Sequence, residues 1–190
     1  SITIQSGAVL NLNTYNLTVA SDVYISGQLS ASSTEQITVG GSWYTYAGST
    51  FTATNSTVTF SGSGNFEILT NNSNFYGVKF NNISSTWTLQ SNIYVNKNMQ
   101  ISNGILDIGS GKIIDVADTL IINGGIIQSI SNRMEIYTTN LNQTSGSIKT
   151  VTSGDVWMIG NGTYTVYSIT VPNTNTIVLG HGLNPRPSPL

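Results

Sequence analysis

A short triplet of apolar, polar and apolar residues recurs along the chain at nearly even spacing, and it constrains the fold more than any other feature. The triplets start at Ile2, Leu17, Ile37, Val58, Val78, Ile93, Ile114 and Met134. Most steps between them are about 20 residues long, and two are about 15. Because successive side chains of a strand point to opposite faces, each triplet predicts a short strand with its outer residues inward and its middle residue in solvent. A period of this length is typical of stacked repeats.

The triplets also repeat as a group. A shift of about 76 residues carries Ile2 onto Val78, and the same shift carries Ile93 onto Ile169. We therefore expect a tandem duplication within a single repetitive β domain, residues 1–182. Its predicted parts are module 1–76, module 77–153 and a partial module 154–182, followed by a Pro-rich tail or linker at 183–190. The tail is not expected to join a regular ladder, because proline has no backbone N–H to donate.

The composition indicates an all-β protein with a mostly uncharged polar surface. Only 7% of the 190 residues are charged, and the net charge is −2. No helical periodicity is sustained, whereas strand-like segments are separated by turn signals such as Gly40-Gly41 and Asn103-Gly104. The absence of cysteine excludes disulfide bonds and thiolate-bound metals. The sequence predicts no nucleic-acid partner, since it has no basic stripe, and it predicts no membrane-spanning segment and no cofactor.

Two architectures accommodate strands of this length. In a parallel β-solenoid, coils of about 20 residues stack along one core, and nine or so coils at about 4.8 Å each would form a rod about 40 to 45 Å long. The alternative is an antiparallel β-sandwich completed by strand exchange between subunits, which requires turns every 8 to 12 residues or so. We favour the solenoid because its phasing forms regular columns. Thr18, Thr38 and Thr59 form one outward column, and Tyr24 lies above Tyr44.

Three segments carry a resemblance to known proteins: residues 57–62 (TVTFSG), 75–80 (FYGVKF) and 102–107 (SNGILD). Their patterns of Gly, Asn and alternating apolar residues resemble the modules of repetitive surface proteins of bacteria and archaea, over most of residues 1–171. The resemblance implies a cell-surface or adhesin-like repeat protein and no particular activity. In composition the chain also looks like exported archaeal proteins, including subunits of extracellular filaments.

The two ends of the sequence suggest how such a protein assembles. A strand-like triplet begins at residue 2 with no polar cap before it, and the third module stops partway. A terminal coil without a cap exposes backbone groups that another copy can pair with, and head-to-tail contacts that do not close form filaments. We therefore expect a structural, adhesive subunit of an extracellular filament or surface fibre that binds further copies of itself. The alternative is that these ends are boundaries within a longer chain.

The second hypothesis is a carbohydrate-binding or adhesin module of a larger cell-surface protein. The candidates for contact with surface glycans or with another fibre are Tyr24, Trp43, Tyr44 and Tyr46. Aromatic faces on a flat β surface suit stacking on sugar rings. The other interpretation of these residues, which we favour, is an aromatic column that packs on its neighbours and stiffens the sheet.

Six sequons mark possible N-glycosylation sites. They are Asn16, Asn55, Asn71, Asn82, Asn142 and Asn161. Their number equals the chance expectation for this composition, so the count alone is no evidence of glycosylation. We rank Asn55, Asn71 and Asn82 first, because they occupy turns rich in Asn, Ser and Thr. The expected location is extracellular or at the cell surface, after export and removal of a signal peptide.

The sequence contains no catalytic constellation that we can assemble. The GHG sequence at residues 180–182 resembles the Gly-His-Gly of polygalacturonases, but the paired aspartates that such hydrolases need are missing. Asp107, Asp115 and Asp118 form the densest acidic cluster, and we interpret them as solvated carboxylates, with Asp115 in an outward column. Their spacing matches no calcium loop, so no metal site is predicted. A polysaccharide lyase or hydrolase is therefore only the third hypothesis.

Overall fold

All regular structure in the described part of the chain is β-strand. The structure, a computed structural model, describes residues 1–71, 73–130, 132–172 and 174–180. In chain order the strands are β1 (Ile2–Ile4), β2 (Val9–Asn11), β3 (Leu17–Val19), β4 (Val23–Ile25), β5 (Gln28–Ala31), β6 (Gln36–Val39), β7 (Trp43–Thr45), β8 (Thr50–Ala53), β9 (Thr57–Phe60), β10 (Asn65–Leu69), β11 (Asn74–Phe75), β12 (Gly77–Leu89), β13 (Ile93–Val95), β14 (Asn98–Asp107), β15 (Ile113–Ser129), β16 (Met134–Thr150), β17 (Val156–Ile159), β18 (Tyr164–Thr165), β19 (Ile169–Thr170) and β20 (Ile177–Leu179).

These strands form a parallel β-solenoid, as the sequence predicted. Every strand pairing in the described residues is parallel. The chain makes about eight turns of roughly 21 residues, in place of the nine or so expected from the sequence. The antiparallel sandwich is therefore not the architecture of this domain.

Each turn of the solenoid contributes to three faces. The first face begins with β1, β4, β7 and β10, where Ile2, Val23, Trp43 and Ile68 are ladder neighbours in that order. The second face begins with β2, β5 and β8 and continues, after a break in the ladder, with β11 and β13. The third face begins with β3, β6, β9 and the start of β12. The position of a side chain is therefore specified by its turn, its face and whether it points inward or outward.

Several later strands are long because they continue around the corners of the solenoid. The strands β15 and β16 run along all three faces and pair over most of their length. Register shifts interrupt this pairing at the corners, between Val116 and Thr119 and between Ile122 and Asn123. The backbone thus changes direction there with only local interruptions of the parallel ladder.

One apolar core runs through the turns of the solenoid. It consists of the side chains at alternate, inward-facing strand positions. On the third face, for example, Val58, Val78 and Met99 are successive ladder neighbours, and all three are buried. Burial of each large apolar side chain contributes about 1.5–3 kcal/mol relative to its exposure. The outward column of Thr18 and Thr38 on this face follows the phasing predicted from the sequence.

The shift of about 76 residues relates strands on different faces. Ile2 lies on the first face and Val78 on the third, while Ile93 lies on the second face and Ile169 on the first. Since a turn has roughly 21 residues, a shift of about 76 residues corresponds to about three and two-thirds turns. Two-thirds of a turn is two of its three faces, so the shift carries each triplet to a different face. The short step from Ile2 to Leu17 is likewise a change of face. The structural repeat of this solenoid is therefore the single turn.

The turn that begins at Trp43 is longer than its neighbours, because its ladder partner on the next turn, Ile68, is 25 residues further along the chain. The hydrogen bond between Ser42 and Asp22 joins residues 20 apart in the sequence, whereas the one between Glu67 and Ser42 joins residues 25 apart. The ladder of the second face is interrupted in the same region, between β8 and β11. Aromatic side chains pack together in this part of the core. The Trp43 ring packs against Phe51, Phe60 and Phe75, with ring centroids 4.9, 6.4 and 5.5 Å apart. We call Trp43, Phe51, Phe60 and Phe75 the aromatic core.

Two glycines allow successive turns to approach closely at the corner after the third face. A Cβ atom at Gly62 would lie 1.9 Å from the carbonyl oxygen of Gly40, and one at Gly40 would lie 2.4 Å from that of Ala20. Both clashes involve backbone atoms, which cannot rotate away as a flexible side chain can. Glycine at these two positions therefore permits the tight stacking of this corner.

The tail predicted at residues 183–190 lies outside the described residues. In the part of the chain that is described, no helix qualifies as a membrane span.

Candidate functional site

Three tyrosines form an outward aromatic stack on the first face. Tyr24 and Tyr44 are ladder neighbours, as predicted, and their rings stack with centroids 5.2 Å apart and planes 3° from parallel. The ring of Tyr46 lies beside that of Tyr44, with centroids 6.3 Å apart and planes 8° from parallel. We call Tyr24, Tyr44 and Tyr46 the tyrosine ladder.

Two carboxylates hold hydroxyl groups of the tyrosine ladder. The Tyr24 hydroxyl donates to Asp22 Oδ2 at 3.1 Å, and the Tyr44 hydroxyl donates to Glu67 Oε2 at 2.8 Å. Asp22 Oδ1 also accepts the backbone N–H of Ser42 at 2.7 Å, so Asp22 links two turns. The hydrogen bond to Asp22 raises the pKa of Tyr24, and burial is the main cause that raises the pKa of Tyr44. Both phenols therefore stay protonated at neutral pH and act as hydrogen-bond donors.

The tyrosine ladder is partly open to solvent. Tyr46 is 39% exposed, whereas Tyr24 and Tyr44 are half-buried. Because the rings stack on one another, the faces between them are occupied, and a ligand can contact only the ring surface that stays exposed, chiefly that of Tyr46. The arrangement combines a packed aromatic column with one accessible aromatic surface.

Trp43 is not part of this surface, contrary to the sequence prediction. Its side chain is 0% exposed and lies in the aromatic core. The physical reason is the alternation of side chains along β7: Tyr44 points outward, so its neighbour Trp43 points inward. The candidate contact surface is therefore limited to the tyrosine ladder.

Most of the sequon asparagines are accessible. The exposed ones are Asn16, Asn55, Asn71, Asn142 and Asn161. Asn82 is half-buried, and its Nδ2 atom, to which a glycan would be attached, donates to the carbonyl oxygen of Ser61 at 2.9 Å. Its Oδ1 atom accepts the backbone N–H of Ser84 at 2.9 Å. The high rank given to Asn82 is therefore not supported, because its amide is already bonded within a corner.

Two of the three aspartates in the predicted acidic cluster are buried, which corrects their interpretation as solvated carboxylates. Asp107 is 5% exposed, and its Oδ2 atom accepts a hydrogen bond from Gln128 Nε2 at 3.0 Å on the next turn. Asp115 is outward, as predicted, but only 7% exposed, because it lies between Tyr94 and Tyr137 in the ladder of the second face. The aspartates thus occupy different faces.

The third aspartate, Asp118, lies at the corner before the third face and forms an ion pair with Lys97. Among the described residues, no group of three or more His, Asp or Glu side chains is arranged to hold a metal ion. His181, from the polygalacturonase-like GHG sequence, lies outside the described residues.

A recess on the third face was not anticipated from the sequence. It has a volume of about 250 Å³, and its lining includes Gly77, Lys79, Lys97 and Asn98. Gly77 is the ladder neighbour of Thr57, so the outward column lacks a side chain at this turn. The signal that could have revealed the recess is therefore a glycine in an outward column with lysines nearby in the sequence.

Comparisons of this chain with protein-family models, with curated proteins and with solved structures find no match. The class of protein is thus defined by the fold itself. It is a parallel β-solenoid with a tyrosine ladder on one face and a lysine-lined recess on another.

Proposed function

We propose that this chain is a rod-shaped structural subunit of an extracellular filament or surface fibre and that it associates end to end with further copies of itself. The observation that carries the proposal is the uniform parallel pairing of successive turns, an arrangement that a turn of another copy can continue. Among the described residues, β1, β2 and β3 pair on one side only, as do β18, β19 and β20. A strand in such a parallel stack carries backbone donors and acceptors toward both sides, and a strand of another copy can pair with them in the same arrangement that joins the internal turns.

Large apolar side chains are exposed on the same two turns. They are Val9 and Tyr15 on the first turn, and Val166, Tyr167, Ile177 and Leu179 on the last. Ile177 and Leu179 continue the core columns of Val156 and Met158, which are buried. A contact between the last turn of one copy and the first turn of another would bury these side chains and pair the free ladders. Such a head-to-tail contact leaves a free end at each step, so it supports growth of a filament.

The extracellular location and the non-enzymatic role belong to the same proposal. The location is supported by the exposed sequon asparagines and by a surface that is polar but carries few charges. The role is that of a scaffold, in which the repeated turn supplies length. Release of soluble sugars from pectin or cellulose by the purified protein would contradict the non-enzymatic role.

Electron microscopy of the purified protein over a range of concentrations tests the end-to-end assembly. We expect filaments with an axial repeat of about 40 Å, the length of eight turns at about 4.8 Å each. Leu179→Lys places a charge on the last turn and should abolish the filaments, whereas Ser63→Lys places the same charge at an exposed side corner and should not. Short, uniform monomers of the unmodified protein at high concentration would contradict the proposal.

The second candidate function is glycan binding by the tyrosine ladder, in an adhesin module of a larger surface protein. The observation in its favour is the partly exposed ring of Tyr46 parallel to that of Tyr44. A glycan array probed with the intact protein, Tyr44→Ala and Tyr46→Ala tests it, and both variants should lose signal. Tyr15→Ala removes an exposed tyrosine elsewhere and serves as the control. Unchanged binding by both ladder variants would rule this function out.

A further inference from the structure

The recess at Gly77 is built from three neighbouring turns of the third face. The floor is Gly77, which has no side chain, and Thr57 stands beside it on the preceding turn. Asn98 lies on the following turn, where it directly precedes Met99, the ladder neighbour of Val78. The missing side chain in an otherwise filled column leaves a cavity of about 250 Å³.

Two lysines line this recess. Lys79 is the next outward residue on the same strand as Gly77, and Lys97 lies at the corner of the next turn. Lys97 is held in place by its ion pair with Asp118, which also raises the pKa of Lys97. Lys79 forms no ion pair within the described residues, and no carboxylate is among the residues lining the recess. The recess therefore carries an uncompensated positive charge.

Asn98, which lines the recess, also carries a hydrogen-bond acceptor without a partner. The Oδ1 atom of Asn98 is buried and accepts no hydrogen bond within the described residues. A buried polar atom without a partner costs about 1–3 kcal/mol, so a ligand that donates to it gains binding energy. Tyr76 and Gln100 line the same recess, and the Nε2 atom of Gln100 donates to Asn123 Oδ1 at 3.4 Å. Its polar groups are thus suited to a ligand that carries both an anionic group and hydroxyl groups.

We propose that this recess binds one anionic sugar unit, carboxylated or sulfated, of a glycan. The ammonium groups of Lys79 and Lys97 contact the anionic group, since charge-assisted hydrogen bonds are the strong ones. The side-chain amide of Asn98, which lines the recess, hydrogen-bonds to a ring hydroxyl of the sugar. The cavity is smaller than the roughly 300–1,000 Å³ of typical small-molecule sites, so it takes a single sugar unit of a longer chain. This site lies on a side face and does not depend on the end-to-end assembly.

A second cavity lined by cationic residues shows why the recess at Gly77 is favoured. The cavity, of about 430 Å³, is lined in part by Lys112 and Arg133. There the guanidinium of Arg133 pairs with Glu135 and lies 4.8 Å from the ring centroid of Trp157. The carboxylate of Glu135 belongs to a residue that lines this cavity, whereas no acidic residue lines the recess at Gly77.

Isothermal titration calorimetry of the intact protein at low salt tests the proposal. The probes are an oligogalacturonate, a sulfated galactan oligosaccharide and a neutral galactan oligosaccharide of the same length. We expect binding of at least one anionic probe, which identifies the anionic group, and no binding of the neutral probe. Lys79→Gln should weaken this binding at least about tenfold, because one charge-assisted contact is lost.

Two further variants make the test specific. Asn98→Asp is nearly isosteric and places a carboxylate inside the recess, so it should abolish binding of the anionic probe. Lys149→Gln removes a lysine on the first face and should bind as the unmodified protein does. Thermal melting followed by circular dichroism checks that each variant is folded. Three results would overturn the proposal. The neutral probe binds as tightly as an anionic probe, Lys79→Gln binds the anionic probe as tightly as Lys149→Gln does, or neither anionic probe binds.

Discussion

At the scale of single residues, Glu35 shows how a polar group can be part of the interior. Its side chain is 0% exposed, and its carboxylate accepts the backbone N–H groups of Ser33 at 2.7 Å and Thr14 at 3.2 Å. Thr14 has a φ of 73°, a conformation that residues other than glycine seldom adopt. Burial alone would raise the pKa of Glu35, but the hydrogen bonds from backbone N–H groups lower it below its ordinary value. The carboxylate thus ties a strained corner of the first turn to the second turn.

We predict that Glu35→Gln destabilises the protein at neutral pH by about 1.5–3 kcal/mol, the value of hydrogen bonds to a charged group. Since the folded-state pKa is lowered, the stabilisation is fully present above the unfolded pKa of about 4.3 and is lost as the pH falls through the folded pKa. Urea unfolding of Glu35→Gln and of the unmodified protein, at pH 7 and at pH 2, measures the difference in their free energies of unfolding. This difference should be large at pH 7 and small at pH 2.

The control for Glu35→Gln is Glu67→Gln, the same chemical change at an exposed carboxylate. Glu67 accepts hydrogen bonds from the side chains of Tyr44 and Gln90, so its substitution should cost no more than about 0.5 kcal/mol, as is usual at the surface. If Glu35→Gln lowers the free energy of unfolding by the same amount at both pH values, the charge of Glu35 does not contribute to stability.

At the scale of strands and turns, the region between the third and fourth turns depends on its aromatic residues. The ladder of the second face is broken there, so fewer backbone hydrogen bonds join the third turn to the fourth. The aromatic core spans this break, with Phe51 on one side, Phe75 on the other and their ring centroids 5.7 Å apart. Side-chain packing therefore compensates for the missing ladder bonds.

We predict that Trp43→Ala destabilises the protein by about 3–5 kcal/mol, the usual cost of removing a large aromatic residue from a core. Tyr15→Ala, at an exposed aromatic residue, should cost no more than about 0.5 kcal/mol. Chemical denaturation of both variants measures the two values. A loss of unfolding free energy in Trp43→Ala as small as that in Tyr15→Ala would contradict a stabilising role of Trp43 in this region.

At the scale of the whole molecule, the solenoid is a stack in which each turn contacts mainly its two neighbours. Stability in such a stack is approximately the sum of the turns and of the interfaces between them. The position of a residue along the rod therefore matters less than its position within a turn. Length can change by whole turns without changing the packing.

We predict that deletion of residues 99–119 leaves a folded solenoid that is shorter by about 4.8 Å. Asn98 and Met99 are ladder neighbours of Thr119 and Leu120, so this deletion removes one full turn and joins Asn98 to Leu120 in the correct register. Deletion of residues 99–108 removes about half a turn and places the later strands on the wrong faces. Circular dichroism and small-angle scattering should show a cooperative, rod-shaped fold for the first variant only. The same outcome for both deletions would contradict a stack of equivalent turns.

The local pattern of the sequence was sufficient to predict the strands and much of their stacking. The alternation of apolar and polar residues placed Val58, Thr59 and Phe60 with the correct inward and outward directions. The near-even period placed Tyr24 beside Tyr44. The same alternation, applied to the pair Trp43 and Tyr44, would have placed Trp43 in the core.

What the sequence by itself determined is the class of fold, because alternation and period are properties of short segments and survive small errors in spacing. Only the tertiary structure decided which face each strand joins, since turns differ in length and a change of a few residues moves a strand around the rod. It also decided the bonded amide of Asn82 and the recess beside Lys79 and Lys97. These features arise between residues about one turn apart in the sequence, and the exact stacking of the corners brings those residues together.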